Sequence, residues 1–501
     1  MNFNDIYIIN PAYKFRSDKK RCIVTNNNSL FMPKKWEQPD NINTSISWVV
    51  HPYIAFIFSF FDGTEPLEKI LTKLVDISGL QKDELLQAII PFIENQERMI
   101  VPIKEFGACS LPKNFLIKKP NEMPARKPFI FDVKGMLANL DMNSQRQYIP
   151  NNMSLMVNNN CFTDCVYCYA DTIHKVEKYL SFERIKELIA EASLLGMNDV
   201  EIGGGDFFMY KYWKELIPEL IKHEYMPYTS TKYPITEEIV EVLKQYSITG
   251  IQLSLDSVDN EEIKKMLNIS DGYLDKVKRG IYLLNKAGIE ICIKPVITKH
   301  NDSEESISNL LKYLAQFEMI KTINIAPGSY SIYKPYTFSA TLKSIEKIKK
   351  FTDDFSKENP NISVKVQGAN PYETLEQRKT KFPNRGLCSG NMSSFYALPD
   401  GKVTLCEQLY WHPFFILGDL SKQSIMEMWN SEKALNLWNF SQEEVKSSSP
   451  CKTCTDFEEC RRGKGNCWRF AVAAYGIDNY DYPAPNCPLA PEVTRPYFTP
   501  D

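Results

Sequence analysis

The chain is poor in histidine, with five in 501 residues, so zinc sites built from mixed Cys and His ligands have little to draw on. It has no long apolar run. The longest, residues 53–61, is interrupted by Ser59 and falls well short of the roughly 20 residues of a membrane helix. Its first residues, Met-Asn-Phe-Asn-Asp, show no basic segment followed by an apolar one. A cytoplasmic protein with no membrane association is therefore expected. Nor is there a bias of charge: the net value of −3 favours neither nucleic acid nor an anionic surface as partner. The apolar content of 43% is ordinary for a chain with a proper core, and the length suggests about three domains.

What the chain has is cysteine, thirteen in all. Without a signal for an oxidising compartment, they read as metal ligands rather than disulfides. Cys161, Cys165 and Cys168 form a C-x3-C-x2-C run with Tyr167 before the last thiol. Zinc sites mostly pair two short C-x2-C or C-x2-H elements, and only a single triplet stands here. Three thiolates on one short loop can hold three corners of a 4Fe–4S cluster and leave the fourth iron open. An open iron on a reducing cluster is what binds and cleaves S-adenosylmethionine (SAM). In this run the chain resembles the radical SAM superfamily.

That resemblance extends along the chain. Gly203-Gly204-Gly205-Asp206 follows a candidate strand where the superfamily usually has Gly-Gly-Glu against the amino group of the SAM methionine. Gly204, Gly205 and Asp206 are thus implied SAM contacts, with Asp replacing the longer Glu. The run 251–257 resembles the fourth strand of relatives that carry extra clusters. It implies that Ser254 and Asp256 face the SAM ribose and carboxylate; a period of two puts Gln252 on the same face. Lys294 is a further inward candidate on the fifth strand.

Seven cysteines crowd the C-terminal region: Cys388, Cys406, Cys451, Cys454, Cys460, Cys467 and Cys487. With residues 416–420 and 428–430 they resemble the SPASM extension, which binds two auxiliary 4Fe–4S clusters. A zinc ribbon on Cys451, Cys454 and Cys460 is the alternative reading. The resemblance implies an outer cluster on Cys451, Cys454, Cys460 and Cys487, and an inner one on Cys388, Cys406 and Cys467. Two departures stand out. Six residues separate Cys460 from Cys467 where the family usually has three, and no cysteine shortly precedes Cys388. The inner cluster is thus expected to be open unless an Asp, Glu or His closes it. Cys22, Cys109 and Cys292 stand alone and read as small buried hydrophobes.

The expected fold is α/β. Strands at residues 154–157, 199–202, 228–231, 251–255, 291–297 and 321–325, with amphipathic helices between them, make a partial (β/α)6 TIM-type barrel over 151–370. The cysteine loop then follows its first strand, at the face where barrel chemistry sits. Residues 371–501 form the Cys-rich domain. Residues 1–105 read as a winged-helix-like α+β domain. Its expected strands are 6–9 and 21–25, with a hairpin completed by 29–32. Its helices run through Leu67, Ile70, Leu71 and Leu74, then Leu86, Ile89, Ile90 and Ile93. The run 51–63 resembles the small peptide chaperone of pyrroloquinoline quinone biosynthesis, which implies recognition of a peptide leader by strand addition. Lys14, Arg16, Lys19, Lys20 and Arg21 suggest an acidic leader or a solvated charged face. Residues 106–150 read as a connecting segment.

Together these resemblances imply a radical SAM/SPASM maturase of a ribosomally made peptide. The expected cofactors are three 4Fe–4S clusters and SAM. The expected partners are a leader-bearing, Cys-containing precursor peptide and an external electron donor such as flavodoxin or ferredoxin. A Cys-to-carbon thioether of the sactipeptide or ranthipeptide kind is the expected product. Carbon–carbon crosslinking, epimerisation, a formylglycine-type sulfatase maturase and a non-catalytic leader-binding or electron-carrying module are the other readings.

Overall fold

Apolar positions spaced for strands and helices close into two units in the computed structural model. It describes residues 2–26, 47–103, 107–125, 129, 131–227, 230–328, 331–334, 337–367 and 374–494. The first unit comprises Met1–Asn152, Ala190–Val200 and Glu224–Met226; the second comprises Met153–Ile189, Glu201–His223 and Pro227–Asp501.

In the first unit, Tyr13–Ser17, Cys22–Asn26 and Ser47–Val50 form an antiparallel sheet. Ile6–Ile9 runs between Asp62–Pro66 and Leu116–Lys118 in a second sheet. Helix Leu67–Ser78 buries Leu67, Ile70, Leu71 and Leu74, its i, i+3, i+4 stripe, and ends at Gly79 in the left-handed region (φ +70°). Helix Lys82–Ile89 follows, and a 3-10 turn at Ile90–Phe92 ends it before Ile93. The long apolar run is a short helix, Pro52–Ser59, whose Phe58 packs edge-on against Phe92 and Phe115.

Two expectations change here, and a third is not reached. The segment 106–150 is more than a connector. Gly107–Leu111 pairs with Met99–Ile103, and Leu116–Lys118 completes the sheet around Ile6–Ile9. Its Pro and Lys content masks strands too short to show a period. The expected strand at 29–32 lies outside the described residues. The basic run is not a uniformly solvated face. Arg16 is 2% exposed, donating to Gln147 and the Ile149 carbonyl, and Arg21 is 1% exposed, paired with Asp18 at 3.0 Å. Both arginines brace the unit's interior, so they cannot meet an acidic leader.

The second unit contains the barrel. Parallel strands Ser230–Thr231, Gly250–Leu253, Glu290–Ile293 and Ile320–Pro327 lie side by side, with Ser363–Val366 at the end. The fifth expected strand is split, because the chain breaks at Lys294-Pro295 and Val296–Ile297 then pairs with Ile320–Pro327. Strands Asn152–Asn158 and Asp199–Gly204 make the other arc. The free edge of Asn152–Asn158 is covered from the C-terminal region: Ser394–Ala397, Lys402–Thr404 and Ile416–Asp419 extend the same sheet. This is a partial TIM-type barrel with a C-terminal cysteine-rich region built onto its first strand.

No described helix is long and apolar enough to cross a membrane.

Candidate active site

The cysteine loop leaves strand Asn152–Asn158 and is pinned on several sides. The Asp164 and Val166 amides donate to the Leu267 and Met266 carbonyls, at 3.0 and 2.9 Å. Lys334 reaches over to Asp164 (2.6 Å) and the Cys165 carbonyl (3.0 Å). Phe162 stacks on Tyr273 and meets Tyr233 edge-on. The loop is therefore preset rather than free to seek its ligand.

Beneath it lies a charged triad absent from the sequence reading in this form. Asp256 has no exposed surface. Its carboxylate accepts from the Tyr167 hydroxyl, from Lys232 Nζ at 2.9 Å and from the Val296 amide at 2.9 Å. Lys232 also sits over the Tyr167 ring, 5.4 Å from its centroid. Burial alone would lower the Lys232 ammonium, but Asp256 carries it above its ordinary value. Burial and then the Asp256 charge push the Tyr167 phenol well up. Tyr167 and Asp256 thus act first on each other. Ser254 ends a line of side chains that crosses from the neighbouring strand, Ser230 to Gln252 to Ser254, at 2.7 and 3.1 Å.

Gly204 and Gly205 are needed for close approach between strands. Gly204 has φ +123°, and a Cβ there would overlap the Asn158 carbonyl oxygen; one at Gly205 would overlap that of Asn160. Gly203 faces open space. Asp206 turns back into the protein, accepting from Thr231 Oγ1 (2.7 Å) and from the Phe208, Lys232 and Tyr233 amides at 3.1, 2.9 and 3.0 Å. Its carboxylate is occupied by the turn it caps.

The residues fit an iron–sulfur group by the chemistry of their donors. Among the described residues no three His, Cys, Asp or Glu side chains converge on one metal ion. Cys161 lies within charge range of Cys165 and Cys168, Cys467 of Cys388, Cys406 of Cys467, and Cys487 of Cys451, Cys454 and Cys460. Cys161 is reachable by solvent yet walled by protein. Burial pushes its thiol up to about 12, with Cys168 and Cys165 adding to the rise. Burial likewise takes Cys406 to about 12, with Cys467 adding, and Cys467 to about 11, with Cys388 adding. Burial raises Cys487 to about 11, and Cys451, Cys460 and Cys454 face it. A bound metal would take up the charge of such crowded, buried thiols and let them ionise. Arginines touch two sulfurs: Arg385 Nη2 lies 3.1 Å from Cys460 Sγ, and Arg461 Nη2 lies 3.6 Å from Cys451 Sγ.

Glu407, next to Cys406, is held up by burial and by Glu201, and accepts from the Tyr169 hydroxyl at 3.3 Å. This contact joins the residue after Cys168 to the residue after Cys406. Lys232 and Arg385 stand apart from any motif, and Arg461 and Glu407 follow motif cysteines without a pattern that marks them. Lys294 follows its strand, and its amide donates to the Leu253 carbonyl at 3.2 Å.

Comparison with known proteins agrees with this architecture. Residues 155–314 match the radical SAM superfamily, and residues 388–455 match the iron–sulfur cluster-binding domain SPASM. The structure of Streptococcus suis SuiB bound to precursor peptide SuiA superposes with a TM-score of 0.62 at 13% identity, covering 95% of this chain and 98% of that one. SuiB bound to S-adenosylmethionine gives a TM-score of 0.59 at 14% identity, with the same coverage. This likeness is one of fold. A probable GTP 3',8-cyclase of Methanosarcina mazei is 25% identical over 186 residues, 35% of this chain and 55% of that protein. The chain thus spans a little over half the length of that relative, and the shared stretch is no longer than a barrel domain.

Proposed function

We propose that this protein is a cytoplasmic radical SAM enzyme that modifies a ribosomally made precursor peptide. The observation that carries the reading is the preset three-cysteine loop at the mouth of an open barrel, in a chain whose fold follows a peptide-bound relative over nearly its whole length. With a 4Fe–4S cluster on Cys161, Cys165 and Cys168 and SAM bound, the site supplies a 5′-deoxyadenosyl radical able to take hydrogen from an unactivated carbon. The chain's own part is to orient. Lys334, Phe162 and the Asp256 triad fix the loop, while Gly204 and Gly205 bring the second strand against the first. Tyr167, Gly204, Gly205, Asp206, Ser254 and Asp256 are the proposed cofactor contacts; the occupied Asp206 carboxylate supports a contact through the Gly-Gly backbone. Cys388, Cys406 and Cys467 would hold an inner auxiliary cluster, and Cys451, Cys454, Cys460 and Cys487 an outer one. The first unit would receive the peptide leader at a sheet edge.

The proposed product is a Cys-to-carbon thioether. Three thiols at the inner set leave room for a fourth, and an iron–sulfur site prefers thiolate. The peptide would give one hydrogen atom to the 5′-deoxyadenosyl radical, making 5′-deoxyadenosine; closing the C–S bond would then release the thiol proton to solvent and one electron to an auxiliary cluster, so the peptide loses two hydrogens. Mass spectrometry of peptide treated with the reconstituted enzyme tests this. A loss of two hydrogens per event with matching loss of alkylatable thiol is expected. Equal product from a Cys-to-Ser peptide excludes the thioether in favour of a carbon–carbon crosslink, and a mass unchanged except for solvent deuterium points to epimerisation.

A further inference from the structure

A cavity of about 370 Å³ opens in the second unit, and no step described above uses it. Its walls include Asp171, His174, Tyr333, Trp411 and His412, with apolar side chains such as Val472 between them. Asp171 comes three residues after Cys168, and Trp411 five after Cys406. Burial and then the charges of Asp171 and Cys406 raise the Tyr333 phenol, so both cysteine loops pass close to this wall. The aromatic rings form one row. His174 and Trp411 stack with centroids 4.2 Å apart, Tyr410 lies against Trp411 at 5.6 Å, and Tyr333 meets Tyr410 edge-on at 5.6 Å. Trp411 Nε1 donates to Asp400 at 3.0 Å, which fixes the indole.

The cavity is negative. No lysine or arginine lines it. Lys334, next to Tyr333, is bonded to Asp164 and the Cys165 carbonyl, and Lys175, next to His174, lines a neighbouring cavity. Burial holds the His412 imidazole low, so it adds no positive charge at neutral pH. Asp171 Oδ1 accepts from the Ile173 and His174 amides, both at 3.0 Å, and Oδ2 has no partner among the described residues. Aromatic rings beside an unanswered carboxylate suit a planar cation. A guanidinium packs its face on rings and turns its fork to a carboxylate. Cavities of this size, mostly apolar with a few polar groups, are the usual form of a site for a small ligand group. We propose that this cavity takes an arginine side chain of the substrate peptide. The inference rests on the peptide-modifying reading and adds a specificity contact to it. An arginine held here sets the register in which the peptide passes the cysteine loops.

Calorimetry on the reconstituted full chain tests this, with the peptide acetyl-Gly-Gly-Arg-Gly-Gly-amide as probe. The same peptide with citrulline, which keeps the shape of arginine without its charge, is the comparison. The arginine peptide should bind at least about tenfold more tightly, the order of a desolvated cation–aromatic contact. Asp171→Asn keeps an oxygen for the Ile173 and His174 amides and removes the charge. It should weaken the arginine peptide about tenfold, as loss of a close charge partner does, and leave citrulline binding, iron content and melting temperature unchanged. Glu177→Gln, which removes an acid from the neighbouring cavity, should change nothing. Equal binding of the two peptides to the unaltered protein overturns the proposal, whether or not the variants fold. So does an equal loss from Glu177→Gln, which makes the effect one of general surface charge. Selective arginine binding without dithionite-driven SAM cleavage strikes the enzymatic reading and leaves the assignment of the cavity standing.

Discussion

A carboxylate with no exposed surface must have its charge answered by fixed groups, and Asp256 has three: Tyr167, Lys232 and the Val296 amide. The pair is buried on the acid's side and nearly so on the lysine's, where 15% of the side chain is exposed. Removing one partner of such a pair costs about 3–5 kcal/mol, because the other charge is stranded. Lys232→Met should therefore destabilise the protein by about 3 kcal/mol in chemical denaturation. It should also loosen iron at the Cys161 loop, since Tyr167 lies on that loop. The double variant Lys232→Met, Asp256→Asn should lose clearly less than the two single variants added together, as partners in one network do. Additive losses would show that Lys232 and Asp256 do not act as a pair.

Among elements, the end of strand Asp199–Gly204 shows what the sequence conveys and what it hides. A glycine run after a strand is legible as a place of close approach, but not what approaches. Here it is the neighbouring backbone at Asn158 and Asn160. Gly205→Ala should push that backbone away and shed iron from the first cysteine set. Gly203→Ala, whose Cβ meets nothing within 4 Å, should keep full iron and an unchanged melting temperature. Iron assay with thermal melting checks both, and equal loss from the two would show that close packing is not the reason for the glycines. The barrel strands were readable from period and length, as in Asn152–Asn158 and Ile320–Pro327, because buried parallel strands are written in apolar runs. The pairing of Ser394–Ala397 with the first barrel strand was not, since a partner more than two hundred residues away leaves no local trace. Nor were Tyr13–Ser17 and Leu116–Lys118, whose few residues show no period. The burial of Arg16 and Arg21 runs against their residue type and depends on carbonyls far along the chain.

At the scale of the whole molecule, the question is whether ten cysteines serve three metal groups or fewer. The proposed sets of three, three and four thiols would serve three clusters: Cys161, Cys165, Cys168; Cys388, Cys406, Cys467; and Cys451, Cys454, Cys460, Cys487. Each set lies in its own surroundings: the first on a loop braced by Lys334, the last against Arg385 and Arg461. Loss of one set should therefore leave the others filled. Changing Cys161, Cys165 and Cys168 together to Ala should abolish dithionite-driven conversion of SAM to 5′-deoxyadenosine while the protein keeps roughly two-thirds of its iron, as expected if each set holds a cluster of the same kind. Elemental analysis for iron, zinc and sulfide on the same sample reads the remainder. Iron falling to nothing would mean that the C-terminal cysteines bind no cluster of their own. Zinc in place of the residual iron would make that region a zinc module. Undiminished SAM cleavage would remove the first loop from the chemistry altogether.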